Sequence, residues 1–233
     1  MKLNPLAVKR FVKQNIGSLV LILITAILIT WMGIVRQQPL FRILPLYVSL
    51  FIGMLQAKAN RYSCLLGGIN SVLYAVVYFS FGLYASAGYA LLVSFPFQIA
   101  TFLRWSKHAY KHSTEFRRMT IPQILLSLIA FLACFAILYW TMTLAGSSYR
   151  LLDNATTLIG IATSILTLFS FREYTYLMLG SGILNMVLNF TMMKEHPEQI
   201  TYLIFSIYSF ICILRQFFAV RRLYKEQKKG VLV

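Results

Sequence analysis

Eight apolar runs, each about the length of a membrane crossing, constrain this chain more than any other feature. They cover residues 16–35, 41–57, 63–82, 85–104, 121–144, 152–170, 175–193 and 200–219. A hydrocarbon core about 30 Å thick is crossed by roughly 20 helical residues. The predicted fold class is therefore an all-α polytopic membrane protein with eight transmembrane helices. Composition agrees, because only 12% of the residues are charged and six are acidic, where a soluble globule carries roughly a quarter charged residues. Basic residues precede the first run, as in a signal peptide. The run is of full spanning length, however, and has no small-x-small cleavage site, so it is read as a membrane helix.

Polar breaks separate the runs: Arg36-Gln37-Gln38-Pro39, Lys58-Ala59-Asn60-Arg61, Arg172-Glu173 and Lys194-Glu195-His196-Pro197-Glu198, with one longer basic loop, Ser106–Thr120. The net charge of +16 would suggest nucleic acid in a soluble chain. In a membrane protein it belongs on cytoplasmic segments facing anionic lipid, so no nucleic-acid partner is expected. An even number of spans puts both termini on one side. With the termini inside, 18 of the 22 Lys and Arg are cytoplasmic, and only Arg36, Arg42, Arg150 and Lys194 remain outside. The predicted orientation is N-in, C-in, in a bacterial inner (plasma) membrane. Cys64, Cys134 and Cys212 lie within apolar runs without close-spaced partners and read as small hydrophobes.

The runs also carry a faint internal repeat. Gly67-Gly68-Ile69-Asn70-Ser71-Val72-Leu73 and Gly182-Ile183-Leu184-Asn185-Met186-Val187-Leu188 share Gly, Asn, Val and Leu, and each lies in the middle run of a triplet. Each triplet's third run ends in Leu-Arg, at Leu103-Arg104 and Leu214-Arg215. The predicted organisation is an N-terminal tail and extra helix (1–36), a first triple-helix bundle (41–105), a linker helix (120–145), a second bundle (152–220) and a basic cytoplasmic tail (221–233). Parallel repeats of this 3+1+3 kind place a transporter's substrate at the repeat interface.

The stretch Asn60-Arg61-Tyr62-Ser63-Cys64-Leu65-Leu66-Gly67-Gly68-Ile69-Asn70, followed by Gly82-Leu83-Tyr84-Ala85-Ser86, resembles the PnuC family of vitamin transporters. So do Gln98-Ile99-Ala100-Thr101-Phe102-Leu103-Arg104-Trp105, Leu152-Asp153 and Asn185. The resemblance implies a full-length SWEET-like fold. It also implies facilitated diffusion of a nucleoside-like vitamin precursor, nicotinamide riboside or a (deoxy)nucleoside, that a cytosolic kinase traps. Thiamine is the alternative substrate within the same family. The chain departs from the nicotinamide riboside members in carrying Tyr174, Tyr176 and Met178 where they have a Trp pair, and Ala100-Thr101-Phe102 after the first-half amide. Part of an aromatic clamp for a cationic pyridinium is thereby lost.

Asn70 and Asn185 are amides inside apolar spans and must face protein, water or substrate. They are predicted to share a substrate site, the competing role being interhelical glue. One helical turn on, Tyr74 and Asn189 fall on the same faces. Gln98 follows Pro96 in a helix expected to be kinked. Trp105 is either a stacking platform or an interfacial belt anchor, and Tyr202 and Tyr208 are candidates for stacking on a base. Asp153, beside Arg150, reads as an interfacial carboxylate. His108 and His112 have a chelating i, i+4 spacing if helical, but the basic loop reads as solvated, and no metal or cofactor is predicted. No His-Glu-x-x-His, phosphate-cradling glycine loop or nucleophile elbow occurs, so no enzyme is expected. A membrane enzyme or assembly factor would need clustered ionisable groups within the spans. A substrate-capturing subunit of an energy-coupling importer would show spaced alanines on its first helix. A homo-oligomer remains open.

Overall fold

The computed structural model describes residues 5–144 and 150–230. The helices are α1 (Pro5–Val35), α2 (Leu40–Gln56), α3 (Tyr62–Ser80), α4 (Tyr84–Gly88), α5 (Phe95–Lys107), α6 (Ile121–Leu144), α7 (Arg150–Leu168), α8 (Tyr174–Glu195) and α9 (Ile200–Gly230). A π-helical turn, Tyr89–Ser94, joins α4 to α5, making one span over Tyr84–Lys107. Among the described residues, seven spans are long and apolar enough to cross a membrane, and α2, with 17 residues, is a shorter apolar helix. The expected external loop at Gly146–Arg150 falls mostly on residues 145–149, outside those described.

The polar breaks become tight turns. Gln37, Ala59, Ser170 and Gly82 all take positive φ just after a helix ends. At Gly82, φ is 68°, a left-handed position that glycine reaches without a side-chain clash. The irregularity expected near Pro96 is the π turn itself. A proline lacks the N–H that would bond four residues back, and the wider turn immediately precedes it.

Helices α2, α3 and the α4–α5 span pack as one group, and α7, α8 and α9 as another. The groups meet where α2 crosses α9 and where α4, the π turn and α5 lie along α7. Helix α1 lies outside, against α2 and α9, and α6 leans on α7. Nearly all the large apolar side chains of α6, including Leu126, Ile129 and Trp140, point outward; in a membrane that face meets lipid.

Antiparallel succession gives the bundle two ends. The basic end carries the 57–61 turn, residues 108–120, the 169–173 turn and the finish of α9. The basic loop is folded, with His108, Lys111, His112, Arg117 and Arg118 exposed as expected of a solvated loop. Ala109–Tyr110 pairs with Ser113–Thr114 as a short hairpin, so His108 and His112 do not lie on a helix, and the His112 ring bonds Lys58 O at 2.8 Å. Helix α9 continues straight through the residues expected as a tail and grips the hairpin. Gln227 Nε2 donates to Thr114 O (2.9 Å) and its Oε1 accepts from Phe116 N–H (3.1 Å). The Lys111 ammonium on Glu226 (2.7 Å) holds that carboxyl below its usual range.

Candidate functional site

Two chambers lie along the axis where the helix groups meet. The first, about 290 Å³, lies toward the basic end and is lined by α3, the π turn, α5, α7 and parts of α2, α8 and α9. The second, about 260 Å³, lies toward the opposite end, among α3, α4, α8, α9 and Ser49 of α2. Ser49, Tyr74 and Tyr78 line both chambers and so form the partition between them. The two tyrosine rings stack at 5.5 Å, and Ser49 Oγ lies 3.0 Å from Tyr74 Oη.

The amides expected to share one site face different chambers. Asn70 lines the first, where its Nδ2 donates to Ser49 Oγ (2.7 Å) and Pro45 O (3.2 Å) while its buried Oδ1 has no partner. Asn185 lines the second, with its Nδ2 turned back on Ser181. Asn189 extends that group, donating to Ser206 Oγ (2.7 Å) and accepting from Gln199 Nε2 (2.8 Å). Tyr202 lines the second chamber, but its ring meets Phe81 edge-on and its hydroxyl donates to Arg42 O (2.6 Å). Tyr208 lines neither chamber and donates to Leu50 O.

Gln98 and Trp105 line the first chamber. Gln98 Nε2 donates to Ser94 Oγ (2.7 Å) and Ser71 Oγ (3.2 Å), in space left by Gly67, where a Cβ would lie 2.1 Å from Gln98 Oε1. Trp105 is not an interfacial anchor. It is 1% exposed, donates to Thr167 O (2.9 Å), and packs with Phe116 and Tyr174 in an aromatic floor at the basic end. Asp153, in the first turn of α7, faces protein. It is 0% exposed and accepts from the backbone N–H groups of Ala85 and Ser86 and from the Ser86 hydroxyl, so it caps the start of α4 from across the group boundary.

Sequence reasoning missed Ser49, Tyr78, Tyr89, Ser94, Ser164 and Gln216, and noted Tyr174 only as a departure from the family's Trp pair. Tyr89 projects from the π turn to Ser164 Oγ (3.0 Å) and Gly160 O (3.2 Å). Their shared signal was small hydroxyls and tyrosines at helical spacing inside apolar runs, a pattern that packing alone also produces. Among the described residues, no acidic or basic side chain lines either chamber, and no group of three or more His, Cys, Asp or Glu could hold a metal ion.

Residues 39–218, most of the chain, match the family described as nicotinamide mononucleotide transporter. The chain belongs to that family. The family's matched segment takes in both helix groups and every residue lining the chambers. A nicotinamide riboside transporter, PnuC, of Neisseria mucosa is 29% identical over 144 residues, covering 59% of this chain and 53% of that protein. The aligned region thus spans about half of that relative. The crystal structure of a vitamin B3 transporter PnuC matches with a TM-score of 0.77 over 91% of both chains at 21% identity, which establishes a shared fold. These family members are transporters, not enzymes.

Proposed function

We propose that this chain moves a nucleoside-like vitamin precursor, nicotinamide riboside or a (deoxy)nucleoside, across a bacterial inner membrane by facilitated diffusion. The observation that carries this reading is the pair of chambers that share Ser49, Tyr74 and Tyr78 in their linings. Each chamber is near the lower end of the volumes that hold small ligands. Amides and hydroxyls match the hydroxyls of a sugar and the edge of a base, and the rings of Tyr74, Tyr78, Tyr89 and Trp105 offer stacking faces. Asn70, Tyr74, Gln98, Trp105, Asn185, Asn189 and Tyr202 are the proposed contacts. With no carboxylate in either lining to offset a pyridinium charge, an uncharged base suits the chambers better than a cation.

The finer architecture belongs to the same reading: a 3+1+3 parallel repeat with one extra N-terminal helix, termini inside, and a cytosolic kinase trapping the product. Asp153 is buried, but its oxygens cap α4, which leaves neither chamber a carboxylate for ion coupling. The test is flux in proteoliposomes containing this chain alone, without ATP. Labelled nucleosides should equilibrate across the membrane at a rate indifferent to proton or sodium gradients. Accumulation above the external concentration would reveal a coupling site and sink the uniport mechanism. A requirement for an ATPase partner would favour the importer-subunit alternative.

A further inference from the structure

Two buried amides in the first chamber keep an open hydrogen-bonding position, and they come from opposite helix groups. Asn70, on α3, is 3% exposed, and Gln216, on α9, is 4% exposed. Both line the same cavity, and Asn70 Oδ1 and Gln216 Oε1 have no partner. Asn70 cannot turn over, because its Nδ2 donates to Pro45 O, a carbonyl that can only accept. Its open position is therefore an acceptor. Gln216 makes one bond, from Nε2 to Tyr174 Oη at 3.0 Å. A hydroxyl both donates and accepts, so this bond alone does not fix which way the amide faces. In the orientation the structure gives, Gln216 Oε1 lacks a partner within the protein.

A buried polar atom without a partner is penalised; with Thr163 Oγ1 in the same lining the cavity holds three, which call for a common occupant. We infer that Gln216, oriented by Tyr174, is a ligand contact of the first chamber. With Asn70 it grips a ligand whose groups can donate, as sugar hydroxyls or a carboxamide do. The inference rests on the nucleoside reading and sharpens it. It gives the second helix group a polar hold on the chamber that already contains Asn70 and Gln98, so a ligand there touches both groups. Trp105 and Gln216 each directly follow a Leu-Arg pair, at the end of the first and second triplets, and both line this chamber. One keeps its N–H on Thr167 O, while the other keeps a free polar atom.

The test compares wild type, Gln216→Leu and the double variant Tyr174→Phe/Gln216→Leu, purified in detergent. Direct binding is measured with uridine, thymidine and nicotinamide riboside, and melting is followed without ligand. A structural Gln216 would lower melting and spare affinity. A ligand contact predicts the reverse. In the double variant both hydrogen-bonding partners become apolar, which is close to neutral for the fold, so unliganded melting should match or exceed wild type. Affinity for whichever probe binds wild type should fall roughly three- to hundredfold in both variants. Unchanged affinity in well-folded Gln216→Leu overturns the inference while leaving the nucleoside reading intact. If wild type binds none of the probes, the nucleoside reading fails. Lower melting of the double variant would then overturn the ligand role of Gln216 independently, whatever the ligand.

Discussion

Asp153 accepts the backbone N–H of Ser86 at 3.2 Å, a bond between residues 67 positions apart that joins the first turn of α7 to the first turn of α4. The Ala85 N–H (3.3 Å) and the Ser86 hydroxyl converge on the same carboxylate. The start of a helix leaves backbone donors unpaired, and a carboxylate there is favoured by both hydrogen bonding and the helix dipole. One of the chain's six acidic residues thus pins the two helix groups together at the opposite end, where Ser86 also lines the second chamber.

Replacing Asp153 by Ala leaves these buried donors unpaired, at a cost of about 1–3 kcal/mol. Asp153→Ala should therefore melt distinctly below wild type in detergent. Asp153→Asn keeps one acceptor oxygen and should recover part of the loss, because Asn caps helices nearly as well as Asp. An Asp153→Ala protein melting with wild type would show that the cap contributes nothing.

Gly67→Ala tests the setting of Gln98. The added Cβ would sit 2.1 Å from Gln98 Oε1, the far end of a flexible side chain. Gln98 can therefore move aside, and the fold should survive with little change in melting. Its bonds to Ser94 and Ser71 would break, and a ligand held by Gln98 should bind several-fold more weakly. Strong destabilisation with unchanged affinity would mean that Gly67 serves helix packing alone.

These two sites show what a linear reading can and cannot reach. The apolar runs were legible because hydrocarbon thickness fixes their length, seven of them forming helices long enough to cross a membrane, and the turns because Arg36–Pro39, Lys58–Arg61 and Arg172-Glu173 interrupt otherwise apolar runs. Asn70, Gln98 and Asn185 stood out because an amide is costly in lipid. Asp153 was visible as an acid at a span's start, but its partner Ser86 lies in another helix group, and no local pattern reveals a cap supplied from so far along the chain. The folded hairpin at 109–114 was missed for a similar reason. Its Ser113 and Thr114 read as loop residues, and Gln227, which bonds Thr114 and Phe116, lies more than 100 residues away. The partition was hidden because Tyr74 and Tyr78, one turn apart, also fit ordinary helix packing.

Orientation is open to direct labelling. With single cysteines introduced into a background lacking Cys64, Cys134 and Cys212, Lys107→Cys at the basic end should resist an impermeant thiol reagent added to intact cells. Lys194→Cys, at the far end of α8, should react. The reverse pattern would overturn the inside placement of the termini and the positive-inside reasoning behind it.

The sharpest contrast is between the two asparagines, because the structure gives them different local duties. Asn70 Nδ2 bonds Ser49 Oγ, which in turn meets Tyr74 Oη, so this amide supports the partition as well as facing the first chamber. Asn185 Nδ2 bonds only Ser181, four residues back on its own helix. Leucine at position 70 would remove the bonds to Pro45 O and Ser49 Oγ, lowering stability by about 0.5–1.5 kcal/mol for each, as well as removing an acceptor from the ligand. Leucine at 185 breaks no hydrogen bond between helices, so the protein should melt near wild type. If Asn185 meets the substrate as it crosses the second chamber, that variant should bind or transport it roughly three- to hundredfold more weakly, about 1.4 kcal/mol accounting for each factor of ten. Interhelical glue predicts the opposite for Asn185→Leu, a loss of stability with affinity intact. A well-folded Asn185→Leu protein with wild-type affinity and flux would remove Asn185 from the substrate path and leave the first chamber, with Asn70 and Gln98, as the place where the ligand is held.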